Sequence, residues 1–273
     1  IIVDGDYGAG QIVSMRAVKN IINIAGKTGI AVAAIKNSNH FGRAGYYTSE
    51  LAKNGKIGIA MTHTDANTVP DGGTKPYFGT NVISFSAPSS GDYPIIIDFS
   101  MSKISFGKVY DAKLYEKLLP ENVALDTFGN ITNDPNKVEY LIPMAEYKGY
   151  SLSMMIEILC ALLVGMPFGP YVVDMYKQTE IPRKLGHIFI AIDIEKFRDI
   201  NEFKNDIFRM ISDLHRITPQ NGLEKVRVPG ESTYNVYNER TKNGIPLPST
   251  LINELKFLAD KYNIIFPVEA IVS

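Results

Sequence analysis

Histidine is the side chain best suited to exchange a proton near neutral pH, and of the four in this chain His40 has the most suggestive surroundings. It falls in KNSNHFGRAGY, residues 36–46, after polar Asn37, Ser38 and Asn39 and before Gly42 and Gly45, glycines that let backbone approach a ligand closely. Upstream, GIAVAAIK is small, β-branched and apolar, as a buried strand is; downstream, AGYYTSELAKNG puts Ala44, Tyr47 and Leu51 on one helical face. His40 is therefore expected at the mouth of a strand–loop–helix unit, where open α/β sheets collect ligands. A hydrogen-bonded loop histidine is the competing reading. His63 ends the next strand, KIGIAMTH, and can lie beside His40, whereas His187 at a strand start and His215 on an amphipathic helix read as structural.

Three further positions carry possible chemistry. Asp98 closes the apolar strand YPIIID, where an acid faces a ligand crevice or, more commonly, caps the next helical turn. Lys148 stands in the first turn of the most apolar helix, an unfavourable place for a cation unless it meets an anion. The loop VRVPGE, residues 226–231, offers backbone amides and Glu231, with a plain turn as its default reading. A dinucleotide fingerprint G-x-G-x-x-G is absent: Gly5, Gly8 and Gly10 of GDYGAGQIV come in an unsuitable order with no preceding strand of useful length. No metal-ligand spacing occurs among the scattered histidines, and the single Cys160, in the apolar run IEILCALLVGM, reads as a buried thiol.

The elements that position these residues follow from periodicity. Helix is expected over QIVSMRAVKNIINIAGKTG, GYYTSELAKNG, residues 101–119, KGYSLSMMIEILCALLVG, FKNDIFRMISDLHRI, STYNVYNERTKNG and STLINELKFLADKYN. Strand is expected over GIAVAAIK, KIGIAMTH, VISFSAP, YPIIIDFS and GHIFIAID. Between them lie the loop TDANTVPDGGTKPYFGTN, with two prolines and three glycines, and the turn-rich ENVALDTFGNITNDPNK. So long a loop in a compact chain is usually functional or mobile. The rhythm is α/β, and 273 residues at 45% hydrophobic content suit one large domain or two interleaved ones. A net charge of -1 offers no general attraction to nucleic acid or an anionic membrane. The run around Cys160 is interrupted by Glu157, falls short of the ~20 apolar residues of a bilayer span, and reads as a core helix. One cysteine is compatible with a reducing cytosol, and the opening Ile1-Ile2-Val3, without methionine, is what a processed, truncated or partly ordered piece of something longer is expected to show.

In order along the chain, DGDYGAGQ, NSNHFGRAGYY, IGIAMTHTD, PDGGTKPYFGTNVISFSAP, IIIDFS, ALDTFGNITNDP, YKGYSLSMMIEIL, GHIFIAID and VRVPGE resemble the malate/L-lactate dehydrogenase family that lacks a Rossmann domain. That group includes ureidoglycolate dehydrogenase, sulfolactate dehydrogenase, diketogulonate reductase and piperideine-2-carboxylate reductase. The resemblance spans nearly the whole chain and accounts for the missing G-x-G-x-x-G. It implies a three-layer α/β/α fold with a mixed sheet, like that of sulfolactate dehydrogenase. It also implies reversible hydride transfer between NAD or NADP and a small 2-hydroxy or 2-oxo acid, in a cytoplasmic homodimer with no nucleic-acid or membrane partner. By position, His40 matches the histidine that serves as general acid/base in part of the family. Thr64, Asp98, Phe99, Ser100, Lys148, Gly149, Val228, Pro229 and Gly230 match cofactor-contacting positions. Residues 36–231 are then the cofactor-binding domain, and 1–35 with 232–273 belong to a substrate and dimerisation domain.

Two departures bear on this expectation. Family members carry, before the DGDYGAGQ region, a serine-histidine-glycine motif and an arginine that bind the substrate carboxylate or supply a proton; nothing in this chain matches them. Either that segment lies outside the 273 residues or the protein is a divergent relative, so these residues alone are expected to bind substrate poorly. Tyr147 also stands where many relatives have histidine before the lysine. The alternatives are another 2-oxo acid or imino acid reductase of the family, and a non-catalytic binding protein on the same fold.

Overall fold

A computed structural model describes residues 1–175, 177–178 and 180–266. The chain divides into two compact units, Ile1–Gly230 and Glu231–Ser273. The first is built on a six-stranded sheet in the order β1-β2-β9-β3-β4-β5. Its strands are β1 (Ile2–Asp4), β2 (Ile30–Ser38), β3 (Lys56–Thr62), β4 (Val82–Ala87), β5 (Ile95–Ser100) and β9 (Leu185–Asp193). β1 runs parallel to β2 and the remaining neighbours are antiparallel, so the sheet is mixed.

Alternation along the strands explains the layers. Ala31, Ala33 and Ile35 of β2, Ala60 of β3, and Phe189 and Ala191 of β9 face α1 (Gly10–Thr28) and α2 (Ala44–Lys53). From α1 come Ala17, Val18, Ile21 and Ala25; from α2 come Ala44, Tyr47 and Leu51, the face expected from their spacing. The opposite side chains, Met61 and Ile188, meet Ile156 and Cys160 of α4 (Tyr147–Cys160), giving helix, sheet and helix in three layers. Ile95 and Ile97 of β5 pack with Ile207 and Ile211 of α5 (Ile200–Arg216) and with Val228. The second unit contains α6 (Glu231–Asn243) and α7 (Ser249–Lys261).

The structure differs from the expected elements in four places. The helix expected over 101–119 is α3, only Phe106–Leu114, because Met101 is buried with its N–H on the Thr80 carbonyl and Ser105 caps the helix by accepting from Lys108 N. The turn-rich stretch holds two-residue strands, β6 (Ala124–Leu125) and β7 (Ile131–Thr132), which form a small sheet with β8 (Tyr140–Leu141) and pack Val123, Ala124 and Leu141 against α3. The short β1 precedes DGDYGAGQ. Finally, the 18-residue stretch Tyr147–Val164 has a mean hydropathy of 1.4 and is long and apolar enough to cross a membrane. Here α4 ends at Cys160, a 3₁₀ turn follows over Leu162–Val164, and buried Ile156, Glu157 and Cys160 join it to the rest of the fold.

Candidate active site

A cavity of about 720 Å³ opens where the chain leaves β2, β3 and β5, and His40, Thr64, Asp65, Ser100 and Arg183 are among its lining residues. The long punctuated loop after β3 supplies much of the wall, with Thr64, Asp65, Asn67, Pro76 and Thr80. Ser105, Phe106 and Gly107, the first turn of α3, form another part.

His40 lies two residues beyond β2 and remains accessible to solvent. The Gly42 N–H donates to its Nδ1 at 3.2 Å, so while that bond is kept the proton of a neutral ring rests on Nε2. Its pKa is lowered, first by the surrounding protein, which desolvates the imidazolium, and then by the Arg183 charge; Asp65 opposes this. The loop that carries it is built against the glycine-rich start of the chain. Gly5 and Tyr7 donate backbone N–H groups to the Lys36 and Asn37 carbonyls at 2.8 Å, and the Asn39 amide donates to the Tyr7 carbonyl at 2.8 Å. A Cβ on Gly10 would stand 2.2 Å from the Asn39 carbonyl oxygen, so DGDYGAGQ serves as a seat for the histidine loop.

Thr64 is held by a chain of hydrogen bonds that begins in α4. Glu157 accepts from the Asn81 amide and from Gly169 N, each at 2.7 Å; Asn81 Oδ1 in turn accepts from Thr64 N at 3.3 Å. Burial pushes the Glu157 carboxyl up from its ordinary value, opposed by those two donors.

The other expected residues are distributed around this cleft. Ser100 lines it from the end of β5, whereas Asp98 turns to α2. The Asp98 carboxylate accepts from Gly45 N and from Arg43 Nε, both at 3.0 Å, so it caps α2 from a neighbouring strand. Phe99 is exposed. Lys148 is exposed with its Nζ 6.0 Å from the centre of the Tyr147 ring, and buried Gly149 donates its N–H to Met144 O at 3.1 Å. Met144 N donates to Met101 O at 2.8 Å, which ties the entry of α4 to the exit of β5. Val228, Pro229 and Gly230 sit at the opposite end of β5: Ile96 N donates to Pro229 O at 3.3 Å. Gly230 adopts a φ of 102°, and a Cβ there would lie 2.5 Å from Pro94 O. The structure thus brings His40, Thr64 and Ser100 into one cavity, and sets Lys148–Gly149 and Val228–Gly230 on separate flanks.

Two functional candidates escaped the sequence reading. Arg183 Nη2 pairs with Asp65 and its Nε donates to Val173 O at 3.2 Å, while Nη1 is buried without a protein partner. The pair is largely enclosed, with side-chain exposures of 11% and 17%. Burial raises the Asp65 pKa and Arg183 draws it back down. A guanidinium on a cavity wall shared with an imidazole gives that wall a positive charge suited to a small carboxylate. The two residues are 118 apart in sequence, so no local pattern announces them. His63, expected as a possible neighbour of His40, is instead fully buried with Nδ1 against Gly186 O at 3.3 Å. Among the described residues, no group of three or more His, Cys, Asp and Glu side chains could hold a metal ion.

A mixed-sheet α/β/α fold, a cleft without a Rossmann glycine loop, and an imidazole beside an arginine define a class of non-Rossmann dehydrogenase. The sequence profile of the malate/L-lactate dehydrogenase family matches residues 1–256, and the chain belongs to that family. It is 37% identical over 265 residues to the malate/(S)-sulfolactate dehydrogenase of Methanothermus fervidus, covering 96% of this chain and 76% of that protein. It is 36% identical over 230 residues to the NAD(+) ureidoglycolate dehydrogenase of Escherichia coli strain K12, covering 84% of this chain and 66% of the relative. Its fold matches the solved sulfolactate dehydrogenase of Methanocaldococcus jannaschii with a TM-score of 0.87 at 32% identity, over 96% of this chain and 76% of that one. The expected three-layer fold and the enzyme class are thereby shown.

Proposed function

We propose that the protein interconverts a small 2-hydroxy acid and its 2-oxo acid with NAD or NADP, in the cavity bounded by His40, Thr64, Ser100 and Arg183. The observation that carries this reading is that an imidazole, His40, and a guanidinium, Arg183, line one cavity. About 720 Å³ lies within the range of ligand pockets, and the N-terminus of α3 on its wall suits a phosphate or another anion. The residues present therefore fit a nicotinamide cofactor. When bound, the nicotinamide accepts or delivers the hydride.

The Arg183 guanidinium supplies the positive charge for the substrate carboxylate, and Asp65 holds it in place through Nη2. His40 meets the substrate oxygen. In reduction the imidazolium gives its Nε2 proton to the substrate oxygen; in oxidation the neutral ring with its proton on Nδ1 takes the hydroxyl proton at Nε2, so in both directions a proton at Nδ1 replaces the long Gly42 contact. The lowered His40 pKa keeps the base form available at neutral pH. Thr64, Asp98, Phe99, Ser100, Lys148, Gly149, Val228, Pro229 and Gly230 are assigned to the cofactor, with Asp98 acting through the start of α2 and Lys148 as a counter-charge. Residues 36–231 then contribute the cofactor contacts together with His40 and Arg183, and 1–35 with 232–273 further substrate contacts and those of a cytoplasmic homodimer. This division is one of role, since β1 and β2 share the main sheet.

The relatives are named for malate, sulfolactate and ureidoglycolate, which share a hydroxyl-bearing carbon attached to a carboxylate. A panel of 2-oxo acids with each reduced nicotinamide cofactor tests the reading. Turnover of at least one supports it; cofactor binding without turnover of any, in the full chain, supports a binding protein on the same fold.

A further inference from the structure

His187 is fully buried, does not line the cavity, and touches both sides of the residue that does. It lies on β9 directly across from Thr62 of β3. Its Nδ1 is 2.7 Å from Thr62 Oγ1, and its Nε2 is 3.1 Å from the Asn39 carbonyl oxygen. A carbonyl only accepts, so Nε2 carries the ring proton and Nδ1 accepts from the Thr62 hydroxyl, whose alternative acceptor, His63 O, is farther away at 3.2 Å. The ring face stacks on Phe41, with centroids 4.5 Å apart and planes 12° apart. The Phe41 carbonyl in turn accepts from the Tyr47 hydroxyl of α2. Asn39 and Phe41 are the chain neighbours of His40, so a single buried ring fixes one by a hydrogen bond and the other by stacking.

We propose that the Thr62–His187 pair is a positioning element for His40: it sets the height and angle at which the His40 ring enters the cavity. The inference rests on the reading of His40 as the group that meets the substrate. Such a role needs a ring that keeps one tautomer throughout the working range. Burial holds the His187 pKa down to about 3, so it stays neutral while His40 titrates. The charged groups facing His40 across the cavity are Asp65 and Arg183, with Asp174, Glu139, Lys113 and Lys177 on the surrounding wall and Glu180 on the adjoining one. A shift of the loop changes the distance of His40 from all of them, so its titration reports its position.

The test uses the full chain and the variants His187→Phe, which keeps an aromatic ring and loses both hydrogen bonds, Thr62→Val, which loses the hydroxyl alone, and Thr62→Ser, which restores it. A displacement of about 1 Å at a reacting group costs on the order of 100-fold, so a kcat loss of roughly 10- to 100-fold is expected for the first two, with the cofactor Kd unchanged and recovery in Thr62→Ser. In a His40→Ala background, His187→Phe should cost nothing further in kcat. Long-range ¹H–¹⁵N NMR of the imidazoles should show a displaced His40 pKa in Thr62→Val. A lowered Tm with unchanged kcat, an unchanged His40 titration, or an equal further loss in the His40→Ala background would overturn the proposal. If the wild-type protein turns over no 2-oxo acid, the functional reading fails on its own, and the His40 titration in Thr62→Val still decides whether the pair positions that ring. Thr62→Val, nearly isosteric, decides the matter if His187→Phe does not fold.

Discussion

Replacing Arg183 with glutamine removes the cation assigned to the substrate carboxylate while keeping a planar polar side chain. A hydrogen bond between charged groups contributes about 1.5–3 kcal/mol, so kcat/KM for a 2-oxo acid should fall roughly 10- to 150-fold. The substitution also strips Asp65 of its partner in a site where the two side chains are 11% and 17% exposed. Breaking such an enclosed pair costs about 3 kcal/mol of stability, which separates structural damage from binding only if both are measured. The assay is therefore initial-rate consumption of the reduced cofactor at a temperature well below the variant's Tm, with a 2-oxo acid and its uncharged amide in parallel. The acid should lose its advantage over the amide in Arg183→Gln, because the amide never used the charge. An equal fold-loss for both substrates would refute the assignment and leave Arg183 as a structural partner of Asp65.

Three further outcomes follow from the geometry. Arg183 lowers and Asp65 raises the His40 pKa, so the acid limb of kcat/KM for alcohol oxidation should move to higher pH in Arg183→Gln and to lower pH in Asp65→Asn; shifts of the same sign would contradict the site. Asp98→Ala removes the acceptor for Gly45 N and Arg43 Nε at the start of α2 and should cost about 1–2 kcal/mol, a Tm drop of roughly 2–8 °C by calorimetry. His63 and His187, with pKa values lowered from 6.5 to about 4 and about 3, stay neutral in the fold but bind protons once unfolded. Each should thus contribute a fall in stability of roughly 1.4 kcal/mol per pH unit as pH drops below about 6.5, and the slope should lessen by about that amount in His187→Phe when read by denaturant titration.

Much of the frame was legible because helical and strand periods are local. The spacing of Ala44, Tyr47 and Leu51 located α2 and its buried face, and the apolar runs of β2 to β5 and β9 matched their strands to within about two residues. The two-residue strands β6 and β7 carry too few side chains for alternation to show, and α3 begins late because Met101 answers to Thr80 rather than to helical neighbours. At the site, His40 announced itself by following a strand, and Thr64 entered only through the family resemblance. Asp98 showed its acid type but not its direction, and it faces α2. Arg183 and Asp65 were invisible because their pairing is made by the fold across 118 residues, and His187 looked structural because its contact with Asn39 spans 148. Residue types at strand ends mark where a site lies; long-range pairing decides which charges stand in it.

The most direct test of the central claim is the turnover of His40→Ala beside wild type, with cofactor binding followed by fluorescence. General acid/base catalysis contributes about 10²- to 10⁴-fold, so the account expects a wild-type enzyme active on a 2-oxo acid and a variant slowed by at least about 100-fold at an unchanged cofactor Kd. A variant that retains wild-type kcat would contradict it.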